Sequence, residues 1–190
     1  AVIFGGDTAE RQVSLMSGSN VTCKLLRDED YDIEPYFLDK QDCVWSIPFA
    51  YILHHTVEEI AELCQRSEQH VRVLEDLRQP SIEGLGLPPA AYEHDQALAL
   101  PKPYTLKAFL EHCSSQRAFV FLALHGGRWE GGDLQAQLQA YGLPFNGSGP
   151  KTSALCMDKA KTGEHLKKLE HPRISSVAKV VLHLQDWQHQ

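Results

Sequence analysis

A parallel α/β sheet is the fold class this sequence predicts, and three observations predict it. An apolar opening, Val2 to Phe4, runs into the turn residues Gly5-Gly6-Asp7-Thr8 and then into a helical pattern from about Ala9. The helical stretch breaks at Asp28 to Asp32 and a second apolar segment, Ile33 to Leu38, follows, which reads as strand, crossover helix and strand. Farther along, Ala118 to Leu124 is a continuous apolar run suited to a strand buried on both faces. It ends directly in His125-Gly126-Gly127-Arg128-Trp129-Glu130-Gly131-Gly132-Asp133. Polar, flexible chemistry at the C-terminal end of a strand is where open α/β sheets bind ligands.

The elements follow in order. Along the first helix, Val13, Met16, Val21 and Leu25, with Leu15 and Leu26, form an apolar stripe. The segment 39–116 is less regular and reads as an inserted helical and loop region. Within it, Val57 to Leu77 predicts an amphipathic helix, and Pro80 to Pro103, rich in Pro and Gly, predicts a surface loop. Leu134 to Tyr141 predicts a short helix ended by Gly142, and Leu143 to Asn146 a short strand. Gly147-Ser148-Gly149-Pro150 opens a last helix that the pattern carries to about Leu169, capped near Ser148. Val177 to Leu184 reads as one more strand. The expected domains are 1–150 and an incomplete second unit, 151–190.

Composition narrows the class. The chain has 190 residues, of which 43% are hydrophobic and 23% charged, with 13 Gly and 10 Pro, a balance that fits a globular protein with a buried core. Its formal net charge of −7 repels a phosphate backbone, so nucleic acid is not an expected partner. Five cysteines stand far apart with no CxxC pair and no metal-ligand spacing, which predicts reduced thiols in the cytoplasm. No apolar stretch is long enough for a membrane span, and no secretory leader opens the chain, so no membrane association is expected. The sequence starts at Ala1 inside an apolar run, which predicts that a few residues precede it.

Three features carry possible chemistry. Gly5-Gly6 before a helix N-terminus can receive an anion through free N–H groups, although the full GxGxxG spacing is missing. Glu10, at the start of that helix, can hold an ammonium group or simply oppose the helix dipole. Residues 151–190 carry seven basic against four acidic side chains, and the first 150 carry 11 against 21. A basic helix after an acidic domain suits a nucleotide phosphate, and equally a solvated lysine face.

Taken together the segments are more specific. The opening Val2-Ile3-Phe4-Gly5-Gly6-Asp7-Thr8-Ala9-Glu10-Arg11-Gln12-Val13-Ser14-Leu15-Met16-Ser17-Gly18 resembles the first signature of D-alanine:D-alanine ligases. His125-Gly126 through Glu130-Gly131-Gly132-Asp133-Leu134-Gln135 resembles a second, and Gly142-Leu143-Pro144-Phe145-Asn146-Gly147-Ser148-Gly149, continuing into Ser153-Ala154-Leu155-Cys156-Met157-Asp158-Lys159, a third. The resemblance covers about half of the chain, roughly 1–38 and 117–170. It implies an ATP-grasp enzyme with a Rossmann-like N-terminal domain that joins two D-alanines for peptidoglycan, through an acyl-phosphate made from ATP with Mg2+, or alternatively Mn2+. By resemblance Glu10 and His125 are the catalytic and substrate-binding pair, Glu10 for the ammonium and His125 near the carboxylate of the first D-alanine. Val13 is implied beside the substrate methyl, Glu130 in the loop supporting the site, and Lys159 at the ATP phosphates. The implied partners are D-alanine, ATP and a second copy in a homodimer, in the cytoplasm.

The sequence also departs from the family. Gly131 stands where an aspartate is usual, and 39–116 exceeds the usual spacer before the histidine motif. Nothing after Lys159 resembles the family's phosphate loop, catalytic arginine or magnesium-binding Glu/Asn pair, so no metal ligand is assigned and the fragment alone is expected to be inactive. The competing expectation is a non-catalytic binding module that kept the Rossmann-like domain.

Overall fold

Strands of two to four residues, each with at least one β-branched or aromatic side chain, assemble the sheet in the computed structural model, which describes residues 1–28, 30–69, 72 and 100–182. The strands are β1 (Val2–Gly5), β2 (Pro35–Leu38), β3 (Val44–Ser46), β4 (Lys102–Tyr104) and the two-residue β5 (Phe121–Leu122). The helices are α1 (Arg11–Leu25), α2 over 57–69, α3 (Leu106–Ser115), α4 (Gly127–Glu130), α5 (Asp133–Ala140), α6 (Pro150–Met157) and α7 (Lys159–Lys168). A 3-10 turn spans Phe49–Leu53.

Strand order is β4-β3-β2-β1-β5. The centre is parallel, with Val2 opposite Pro35 on one side and Phe121 on the other. The outer pairs β2-β3 and β3-β4 are antiparallel, so the predicted parallel sheet is mixed at that edge. Both antiparallel strands come from 39–116, which therefore builds part of the sheet as well as helix and loop. The reversal after β2 is made by the buried Asp39, whose Oδ1 accepts the Gln41 and Cys43 N–H groups and whose Oδ2 accepts Trp45 Nε1–H. Lys102–Tyr104, expected as the end of a loop, pairs with Val44–Ser46 because Pro103 sits on an outermost strand, where it costs no ladder bond. The helix expected over 57–77 is formed through 69; of its remainder only residue 72 is described, as helical, and the loop residues before 100 lie outside the described residues.

Alternation along each strand divides the core into two clusters. Ile3, Tyr36, Leu38, Val44, Phe109 and Leu134 belong to one cluster, packed with α3 to α5. Phe4, Leu15, Phe37, Ile52, Ile60 and Cys64 belong to the other, under α1 and α2. The result is helix, sheet and helix layers.

The buried face of α1 differs from the expected stripe. Ser14, Leu15, Gly18 and Thr22 are buried, while Val13 and Met16 are 49% and 66% exposed. Contact with the sheet decides this: a Cβ on Gly18 would lie 2.6 Å from the Phe4 side chain, so glycine lets the helix rest on the strand.

Three further expectations change. Of Ala118 to Leu124, only Phe121–Leu122 forms ladder, and Leu143 to Asn146 is reduced to a single bridge between Val120 and Phe145. The reason is Asn146, whose Oδ1 accepts Leu122 N–H at 2.5 Å and whose Nδ2 donates to Leu122 O at 3.2 Å, taking the place of a neighbouring strand. The final helix is broken into α6 and α7 at Asp158, which is extended and caps α7 by accepting the Ala160 and Lys161 N–H groups at 3.1 and 3.0 Å. Residues 177–182 form no strand, and 183–184 lie outside the described residues.

Candidate functional site

Two loops meet at the C-terminal ends of neighbouring parallel strands, β1 and β5. Ser14 ties the strand ends together: its Oγ accepts Gly5 N–H at 2.8 Å and donates to Ala123 O at 2.7 Å. Thr8 Oγ1 donates to His125 O at 2.8 Å, which fixes the backbone of the histidine loop against the glycine turn. Gly126 N–H donates to Glu130 Oε2 at 2.7 Å, closing that loop on itself. Gly126 has φ +75°, which favours glycine in the turn, and a Cβ there would stand 2.8 Å from Glu10 Oε2, so glycine leaves room for the Glu10 carboxylate. Glu10, His125 and Glu130 are thereby gathered around one residue. The site is also tied at its rim, where Arg128 pairs with Asp42 and lies 4.2 Å over the Trp129 ring.

A cleft of about 370 Å3 opens beside this group, with His125, Glu130, Asn146, Ser148, Ser153 and Lys159 among its walls. Lys159 is exposed at the start of α7, and its Nζ donates to Cys156 O at 3.0 Å. Glu10 and Val13 are not among the lining residues of this cleft. Glu10 approaches Gly126 from the α1 side, and Val13, three residues on, is half exposed. Gly131, where the resemblance implies an aspartate, has no side chain to support the histidine loop; Glu130 and Thr8 supply that support.

Sequence reasoning missed Ser17, whose Oγ is 3.0 Å from His125 Nε2, and also Thr8 and Asn146. Ser17 is seven residues after Glu10, two turns along one face of a helix, and that spacing was the available signal. Thr8 and Asn146 act across chain separations of 117 and 24 residues, for which local pattern gives no sign.

The chemistry of the group would suit a zwitterion. Carboxylates can receive an ammonium group and an imidazole N–H can receive a carboxylate. A lysine with two serine hydroxyls suits phosphate oxygens. Among the described residues no cluster of three His, Cys, Asp or Glu could hold a metal ion, and no helix is long and apolar enough to cross a membrane.

Residues 1–148 match the family described as D-ala D-ala ligase N-terminus. A D-alanine–D-alanine ligase of Leptospira interrogans is 29% identical over 164 residues, 86% of this chain and 38% of that protein. One from Chlorobaculum tepidum is 28% identical over 162 residues, 85% of this chain and 38% of its own length. The chain thus spans about two fifths of these relatives. Among solved structures, VanG D-Ala:D-Ser ligase from Enterococcus faecalis superposes with a TM-score of 0.56 at 23% identity, over 88% of this chain and 40% of that one. The D-alanine-D-alanine ligase from Coxiella burnetii gives 0.55 at 21%, over 89% and 41%. At these identities the structural likeness establishes the fold.

Proposed function

We propose, from the premise that this chain belongs to the D-ala D-ala ligase N-terminus family, that it forms the first-substrate site of an ATP-dependent ligase joining two D-alanines. The observation that carries the proposal is the gathering of Glu10, His125 and Glu130 around Gly126. In this reading the Glu10 carboxylate takes the ammonium of the first D-alanine and His125 donates to its carboxylate, holding the amino acid by both ends. Val13 lines the approach to the methyl group. Glu130 keeps the histidine loop closed through Gly126 N–H.

ATP with Mg2+ or Mn2+ supplies the phosphoryl group that activates a carboxylate for ligation. Lys159, with Ser148 and Ser153 on the same cleft, offers donors that fit phosphate oxygens, and no metal ligand is assigned among these residues. A positive group there would stabilise the charge that develops in phosphoryl transfer. Peptidoglycan synthesis in the cytoplasm by a homodimeric ligase is the setting that this reading implies.

The test is titration of the chain with D-alanine, with L-alanine as the control, followed by calorimetry or by NMR. Saturable binding of D-alanine that Glu10→Gln weakens by about tenfold, the loss of one charge-assisted contact, supports the reading. Binding indifferent to Glu10→Gln and His125→Gln overturns it and favours a non-catalytic module. On the complete protein the same substitutions are expected to lower D-alanine-dependent phosphate release.

A further inference from the structure

The imidazole of His125 has two nitrogens, and the fold assigns them different work. Nε2 is 3.0 Å from Ser17 Oγ, a hydroxyl on α1 that is not among the lining residues of the cleft. Nδ1 has no hydrogen-bond partner among the described residues, so it is the ring nitrogen left for a ligand. Which nitrogen carries the proton of a neutral imidazole is set by what the other one meets. A serine hydroxyl can donate or accept. The proposed reading selects donation here. Glu10 and Glu130 both reach Gly126, the residue after the histidine. A carboxylate ligand at Nδ1, in the reading proposed above on which this inference rests, needs an N–H to bind, which leaves Nε2 as the acceptor.

We propose that Ser17 is a positioning residue: its hydroxyl donates to His125 Nε2 and holds the imidazole as the Nδ1–H tautomer, which presents a neutral donor to the substrate carboxylate. The backbone of the same residue is held independently by Thr8 through His125 O, so ring and chain are fixed by two different α1-side hydroxyls. Without Ser17 the ring is free to turn and to take the Nε2–H form that unconstrained histidine favours.

The experiment is a long-range 1H–15N correlation on histidine-labelled chain at a pH where the imidazoles are neutral, with His125→Gln assigning the signal among the ten histidines. The expected result is His125 as Nδ1–H in the wild type, a shift toward Nε2–H in Ser17→Ala, and retention of Nδ1–H in Ser17→Thr, which keeps the hydroxyl. Alanine is the best helix former, so the first variant preserves α1. An Nε2–H tautomer in the wild type, or a Ser17→Ala protein that keeps Nδ1–H, overturns the proposal. In the same samples D-alanine is expected to bind about fivefold more weakly to Ser17→Ala than to the wild type, roughly the worth of one neutral hydrogen bond. Tautomers as stated with no D-alanine binding by the wild type would overturn the substrate reading and support the role of Ser17.

Discussion

Gly18 touches Phe4 so closely that any side chain must push α1 from the sheet. Gly18→Ala gains helix propensity of about 1 kcal/mol yet is expected to destabilise the chain by about 1–3 kcal/mol through overpacking, measured as a lower midpoint in urea unfolding. Val13 and Met16 belong to the same helix and are apolar, but they are half or more exposed. Met16→Ala is therefore expected to change stability by less than about 0.5 kcal/mol, whereas Leu15→Ala, at a buried position, is expected to cost about 2–5 kcal/mol. The apolar count of α1 did not distinguish these neighbours, because Ser14 and Gly18 occupy the buried face for reasons that lie in the sheet: two backbone groups to satisfy and one aromatic ring to clear.

Breaks between elements follow side chains that compete with the backbone. Asp158 separates α6 from α7 by capping the second. Its carboxyl is held below the usual aspartate range by the Lys161 N–H and then by the Lys161 ammonium. Asp158→Ala is expected to cost about 1 kcal/mol, the ordinary worth of a helix cap, and to let the two helices run together, seen as added helical circular dichroism. On the sheet edge, Asn146 satisfies both backbone groups of Leu122. Asn146→Ala leaves them unpaired and is expected to cost about 1–3 kcal/mol, with faster amide exchange at Leu122 as the local sign. Both devices use residues whose type was visible in the sequence. Their effect depended on a partner that the local pattern does not identify.

At the scale of the whole molecule, the two core clusters each bury a cysteine, and all five thiols are free. Burial pushes the Cys64 thiol up from 9.0 to about 12 and the Cys113 thiol to about 11. Burial and the hydrogen bond to Glu34 raise the Tyr36 hydroxyl further. An acid whose folded pKa lies above its unfolded value holds its proton more tightly in the folded state. Its contribution is then complete below the unfolded pKa and is lost as pH climbs toward the folded one. The contribution of these groups is therefore expected to be constant up to about pH 9 and to fall between there and pH 12. Urea unfolding at pH 8 and pH 10.5 checks this, and a Cys64→Ala, Cys113→Ala chain is expected to show a shallower decline.

The sequence by itself determined the strand, glycine turn and helix that open the chain, the apolar run that ends at His125, and the residue types of the site, because each is written in contiguous periodicity or in a motif. It also carried the family, through signatures spread along the chain. The tertiary structure alone decided that 39–116 contributes two strands, since short antiparallel strands with a proline leave little local pattern and gain their meaning from a neighbour. It decided which face of α1 is buried, and it brought Ser17 and Thr8 to His125 across more than 100 residues. The physical reason is common to all three. A period or a motif records what a segment prefers alone, whereas burial, strand pairing and hydrogen-bond partners are set by whatever the folded chain places opposite it.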